Sequence, residues 1–339
     1  MQDFSSFLSK LIQHQNLTVI ETSRIIDAIM DGKLTPAQTA GFLVALTAKG
    51  ETIDEVVGAA QSMRRHAIKI YPKLKGKKMI DTCGTGGDCS GTFNISTTVA
   101  FVVAGAGIAV AKHGNRAVSS KCGSADVLEA LGVNINLTPK SVEKCIEKIG
   151  IGFLFAPQCH PAMKYAGPIR KELGVRTIFN ILGPLTNPAE APYQLLGVFD
   201  EKLTELMADA LARLGVKKAL VVHGHDGLDE ITITSKTRIS EITKKAIRTY
   251  DVLPKDFGLK PGVLKDIQGG ANPQKSAKII ESILKGEKGS RRDIVLMNAA
   301  GAFLAVDEVK NFKEGVEKAI HSIDSGKALE KLEEMINWK

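Results

Sequence analysis

The 339-residue chain has little of what staples small folds: five cysteines, at positions 83, 89, 122, 145 and 159, and no C-x-x-C pair. An odd count without paired spacing argues against a disulfide framework and a structural zinc site, and a reducing cytoplasm is the expected compartment. Aromatic residues make up only 5%, with a single Trp, so no interleaved platform exists for stacking single-stranded nucleic acid. No apolar run reaches the ~20 residues a bilayer span needs. Residues 1–10 contain no basic region followed by an apolar core, so no secretory signal is expected. The 32 glycines are clustered rather than periodic, which excludes collagen, and there is no internal repeat or low-complexity segment.

What is present is ordinary globular usage, 44% hydrophobic and 24% charged. At ~150 residues per domain the length suggests about two domains. Lys and Arg number 45 against 37 Asp and Glu, a balance of +8 that suits an anionic partner, a phosphorylated small molecule or nucleic acid.

The first seventy residues read as helices. Phe4, Phe7, Leu8, Leu11 and Ile12 fall on one helical stripe. Thr18 with Glu21 forms a capping box for a second helix ending near Gly32. Thr35-Pro36 opens a third, closed by Gly50, and Thr52 with Glu55 opens a fourth. After Pro72 short apolar runs alternate with helical stretches. Strands are predicted at 79–80, 108–110, 153–155, 195–198 and 219–222, a largely parallel sheet covered on both faces. The fold class is therefore α/β: a small helical domain, 1–72, on a large domain, 73–339, with the proline-rich stretch 167–188 returning to the helical domain or acting as a hinge. Residues from Arg291 onward read as helices covering the sheet.

Directly after the first strand comes Asp81-Thr82-Cys83-Gly84-Thr85-Gly86-Gly87-Asp88. Three glycines in four positions let the backbone approach a ligand closely, and consecutive N–H groups in such a loop cradle phosphate. Asn94-Ile95-Ser96-Thr97 opens a helix at Ser96, a second anion site. The loop lacks the Gly-Lys-Ser/Thr ending of a Walker motif and the third glycine of a dinucleotide fingerprint, Cys89 standing there. The basic loop that starts at Lys112-His113-Gly114-Asn115-Arg116 follows a strand end, where open α/β sheets bind ligands. His113 there is as consistent with a structural as with a catalytic role. His223-Gly224-His225-Asp226-Gly227-Leu228-Asp229-Glu230 fails the H-x-H-x-D-H pattern of metallo-hydrolases. Its Asp229-Glu230 pair suits Mg2+, which takes one or two carboxylates plus phosphates and water.

Taken together, residues 81–88, 94–97, 112–116, 123–131, 180–188 and 223–230 resemble the anthranilate phosphoribosyltransferase family, in its order and over most of the chain. The resemblance implies a magnesium-dependent homodimer that transfers phosphoribose from phosphoribosyl pyrophosphate to the amine of anthranilate, releasing pyrophosphate, in tryptophan biosynthesis. By position, it implies that Gly84, Gly87, Asp88, Thr92, Asn94, Ile95, Ser96 and Thr97 line the phosphoribosyl pyrophosphate site. Lys112, His113, Gly114, Asn115, Arg116, Ala117, Val118, Ser119, Ser120 and Ser124 complete it. Ser96, Asp229 and Glu230 would hold magnesium, and Gly84, Asn115 and Arg170 would contact anthranilate. Lys112 and Arg170 would be the catalytic pair, Lys112 stabilising the leaving pyrophosphate and Arg170 offering a planar fork to a carboxylate. An aromatic amine has a free lone pair at neutral pH, so no strong general base is required. Two rivals stand beside this reading: a nucleic-acid-binding homologue of the same fold, and a nucleoside phosphorylase using free phosphate. No membrane partner is expected.

Overall fold

The computed structural model describes residues 4–88, 90–117, 122–243 and 246–339. Four helices open the chain: α1 Phe4–Ile12, α2 Val19–Met30, α3 Pro36–Lys49 and α4 Ile53–His66. Three of them begin at reciprocal caps, Thr18 with Glu21, Thr35 with Gln38 and Thr52 with Glu55, each satisfying otherwise orphaned N–H groups. Glu55 does more than cap. It is fully buried and also accepts from the Leu17 N–H at 2.9 Å and from Lys49 Nζ at 2.9 Å, tying the turn before α2 to the start of α4. On α1 the buried stripe is Phe4, Phe7 and Leu11, whereas Ile12, expected on the same stripe, is 65% exposed on the last turn.

The strands are β1 Met79–Gly84, β2 Ala109–Gly114, β3 Ile151–Phe155, β4 Tyr193–Gly197, β5 Lys218–Gly224, β6 Thr237–Ile242 and β7 Ile247–Val252. They form one sheet in the order β3-β2-β1-β4-β5-β6-β7, parallel through β5 and antiparallel for the last two pairs. The sequence pattern does not reveal β6 and β7. Both mix polar with apolar residues, even though β6 buries four of its six, and so lack the continuous apolar run that marks the central strands.

The remaining helices are α5 Ile95–Gly105, α6 Ser124–Ala130, α7 Pro139–Ile149, α8 Ala156–Cys159, α9 Gly167–Leu173, α10 Phe179–Leu182, α11 Leu203–Arg213, α12 Pro273–Leu284, α13 Ser290–Ala305, α14 Phe312–Asp324 and α15 Lys327–Ile336. Successive strand residues point to opposite faces. Leu195, Leu220 and Val222 therefore join a core with Val99, Val103, Leu296 and Phe303 from α5 and α13. Leu196 and Val221 join Met207 and Leu211 of α11 and, through them, Ile25, Leu43 and Leu46 of the helical bundle. Residues 167–188 lie against that same bundle: Ile178, Phe179, Leu182 and Leu185 share its core, and Arg64 Nε donates to the Leu185 carbonyl at 2.7 Å.

Candidate active site

Parallel strands put their carboxyl ends on one edge, and the chemistry-bearing loops follow from it. β1 ends at Gly84 and enters the glycine loop, where Gly86, Gly87 and Gly91 take φ of 66°, 80° and 70°, the left-handed region that other residues adopt only under strain. The loop is threaded between its neighbours. Thr85 donates its N–H to the Gly197 carbonyl at 2.9 Å, and Gly86 donates its N–H to Asp229 Oδ2, also at 2.9 Å. A side chain at Gly84 would put its Cβ 2.6 Å from that same carboxylate oxygen. At Gly197 the Cβ would fall on the Asp229 backbone carbonyl. Two glycines on adjacent strands thus let the 229–230 turn lie directly on the ends of β1 and β4.

Glu230 accepts from the Ser96 N–H at 3.1 Å, at the first turn of α5. That helix begins at Ile95, one residue earlier than the sequence suggests, with Asn94 as its cap residue; the Asn94 side chain instead donates to the Cys122 carbonyl at 3.0 Å. Burial and the neighbouring Asp88 carboxylate push the Asp229 carboxyl up to about 7, and burial together with Asp229 holds Glu230 well above the usual range. Among the described residues no three His, Cys, Asp or Glu side chains gather as a complete metal set. The two carboxylates and Ser96 are a partial set that phosphate oxygens and water would complete.

Lys112, on β2, is buried, and its ammonium donates to the Thr82 carbonyl at 2.5 Å and to Ser96 Oγ at 3.3 Å. Burial lowers its pKa, opposed by Asp81 and by Glu230. Asp81 carries no role in the sequence reading. Burial pushes its carboxyl up to about 6, and it accepts from Asn187 Nδ2 at 2.7 Å and from the His113 N–H at 3.3 Å. His113 packs against His160 with ring centroids 5.1 Å apart; its Nδ1 lies 3.2 Å from the Gly183 carbonyl. Burial pushes both imidazoles down, His113 to about 3 and His160 to about 4, so both are neutral near pH 7.

Gly114 and Gly123 flank the basic loop, and Asp126 accepts from the N–H groups of Ala117 and Gly123 at 2.9 Å. The Arg116 guanidinium is engaged by Asp126 and Glu129 and lies over Phe155. Asn115 keeps its side-chain oxygen on the Arg116 N–H at 2.8 Å, and Ser124 Oγ donates to the Asn115 carbonyl at 3.2 Å. Thr97 Oγ1 is buried without a partner among the described residues. Thr92 bridges Gln268, and the Gly269 N–H donates to the Gly91 carbonyl at 2.8 Å, so residues 268–269 hold the far end of the glycine loop. Val118, Ser119 and Ser120 lie outside the described residues.

Arg170, on α9, stacks over Phe179 at 5.3 Å, and its guanidinium makes no hydrogen bond or ion pair among the described residues. Burial lowers its pKa without any acidic neighbour. Six residues on, Arg176 Nη2 donates to the Gly87 carbonyl at 2.6 Å and its guanidinium lies 4.0 Å over Phe199. Arg176, Gln268 and Gly269 escape a sequence reading because single residues in loops carry no periodicity.

Comparison with known proteins agrees with this layout. The glycosyl transferase family helical bundle domain matches residues 5–67, and the glycosyl transferase family a/b domain matches residues 76–329. Curated anthranilate phosphoribosyltransferases of Acetivibrio thermocellus and Desulfosudis oleivorans are 54% and 55% identical, aligned over 98% and 99% of this chain and 95% and 98% of their own. The crystal structure of anthranilate phosphoribosyltransferase (TrpD) from Thermus thermophilus superposes with a TM-score of 0.91 at 42% identity, covering 98% of each chain. The Saccharomyces cerevisiae enzyme in complex with PRPP and Mg also gives 0.91, at 30% identity over 99% of this chain and 97% of that one.

Proposed function

The chain belongs to the anthranilate phosphoribosyltransferases of tryptophan biosynthesis, and from that premise we propose how its own residues divide the work. The glycine loop, the first turn of α5 and Lys112 take the phosphates of phosphoribosyl pyrophosphate, and Arg170 takes the anthranilate carboxylate. The observation that carries the division is that Asp229 and Glu230 meet the glycine loop and the first turn of α5, whereas Arg170 lies on Phe179 with no acidic neighbour. Arg170 is held in place by Phe179 and lacks an acceptor, which a planar carboxylate would supply. Asp229 and Glu230 are held by backbone N–H groups yet raised by burial and by neighbouring acids, the condition of carboxylates short of positive charge. They therefore fit magnesium, with Ser96 beside them; when bound, it supplies positive charge to the phosphates.

Lys112 stands where it can stabilise charge developing on the departing pyrophosphate, its own charge supported by Asp81 below. On this reading Asn115 and Gly84 join Arg170 in contacting anthranilate. The amine needs no strong base, so positioning accounts for much of the rate. The helical unit, residues 1–72 with 167–188, carries Arg170 toward the α/β unit, the rest of residues 73–339, and excludes water from the donor on closing. The same reading extends to a cytoplasmic homodimer. The described free cysteines suit a reducing compartment, and exposed Ile12, Ile20 and Val44 offer apolar area on the helical unit. No helix of the structure is long and apolar enough to cross a membrane.

The test follows anthranilate fluorescence. Its loss should require the chain, phosphoribosyl pyrophosphate and magnesium together. Full turnover with magnesium chelated would overturn the metal assignment, and no turnover from folded protein would overturn the reading.

A further inference from the structure

We propose that Arg176 is a positioning residue of the donor site: by gripping the Gly87 carbonyl it turns the Gly87–Asp88 peptide so that the Asp88 N–H faces the phosphates. The inference rests on the placement of the donor at the glycine loop given above.

A trans peptide is planar, with its C=O and N–H pointing in opposite directions, and no cis bond occurs among the described residues. Fixing the Gly87 oxygen therefore fixes the direction of the Asp88 N–H. That N–H has no partner among the described residues, while the neighbouring Gly86 N–H is already committed to Asp229. It is a donor open to an anion in a loop whose positive-φ glycines would otherwise let this peptide rotate freely. Arg176 suits the task because it is itself held. Its guanidinium stacks on Phe199, and the Phe199 N–H donates to Thr85 Oγ1 at 3.1 Å. The grip thus runs from Phe199 through Arg176 to Gly87 and returns through Thr85, a closed circuit around the loop. A Cβ at Gly87 would lie 3.3 Å from the guanidinium, so the approach leaves little slack. Arg176 is exposed, which makes its contribution separable from folding.

Two-substrate steady-state kinetics of the full chain with magnesium test this. Arg176→Ala should raise the phosphoribosyl pyrophosphate KM by about tenfold, the loss of roughly one charge-assisted hydrogen bond, with the anthranilate KM within about twofold. Arg176→Lys, which can still donate to the Gly87 carbonyl, should recover most of the donor KM. Phe199→Leu, which removes the stack, should move the donor KM in the same direction by a smaller factor. An unchanged donor KM in Arg176→Ala would overturn the proposal, as would an equal rise in both KM values, which would mark Arg176 as mere support for the segment carrying Arg170. Arg170→Ala separates this failure from failure of the underlying reading: a selective rise in its anthranilate KM leaves the site assignment standing, whereas no turnover by the wild type removes both.

Discussion

A guanidinium stacked on a phenyl ring with no acid to hold is an uncommon arrangement, because an Arg drawn out of water is almost always paired. Arg170, half-buried, is such a residue, and Arg170→Ala should raise the anthranilate KM roughly 10- to 100-fold, the ~1.5–3 kcal/mol of a charge-assisted hydrogen bond, with the donor KM little changed. Unchanged anthranilate saturation curves would remove the role. At this scale much of the site is legible in the sequence: the glycine loop, Lys112 and the 229–230 acids carry chemistry in their residue types, and the fold brings them within hydrogen-bond reach of one another. Asp81, Arg176 and Gln268 are not legible, since each acts through one backbone group or one neighbour, and no spacing rule announces that. The resemblance places Arg116 among the phosphate contacts; in this structure Asp126 and Glu129 pair with its guanidinium, which stays about half exposed.

Among the elements, the capped helices and the apolar central strands are readable because their signals are local. β6 and β7 are not, because each mixes polar and apolar residues, and such a run resembles loop until the neighbouring strand is known. Two contacts between elements carry predictions. Glu55 anchors the start of α4 to the turn before α2, beside a Lys49 side chain that is itself 4% exposed. Glu55→Ala takes the carboxylate from that ammonium, leaving it only the Asn16 Oδ1 and Gly50 carbonyl oxygens, and should cost about 3 kcal/mol, the low end for breaking a buried pair, read as a lowered urea midpoint. A loss no larger than that of Thr52→Ala, about 1 kcal/mol for a simple cap, would show that the buried pair contributes nothing. Gly197→Ala puts a methyl group into the Asp229 carbonyl. It should cost about 1–3 kcal/mol in stability and weaken magnesium activation, because the 229–230 turn must move. Wild-type stability with wild-type magnesium dependence would mean that the turn yields without cost.

At the scale of the whole molecule, the buried histidines make stability depend on pH. His160 is held neutral, its pKa near 4 against an ordinary 6.5. The unfolded chain takes up the proton first as pH falls, so the stability is fully present above pH 6.5 and is lost progressively toward pH 4, about 3 kcal/mol over that interval. Asp81, raised to about 6, acts in the opposite sense: its folded form binds a proton more readily than the unfolded chain, so its contribution is present at low pH and is lost as pH rises through 6. The two are separated by comparing urea unfolding of wild type and His160→Gln between pH 6.5 and 4. The variant should lose less stability on acidification, and parallel curves would rule His160 out.

The strand order also bears on how the chain comes into being. β1 lies between β2 and β4, although residues 193–197 follow it by more than a hundred positions. A chain growing from its amino end therefore completes β1, β2 and β3 with one flank of β1 still open, and that flank closes only when β4 is made. The acids at 229 and 230 emerge later still, so the nascent chain carries its glycine loop well before the carboxylates that pack against it.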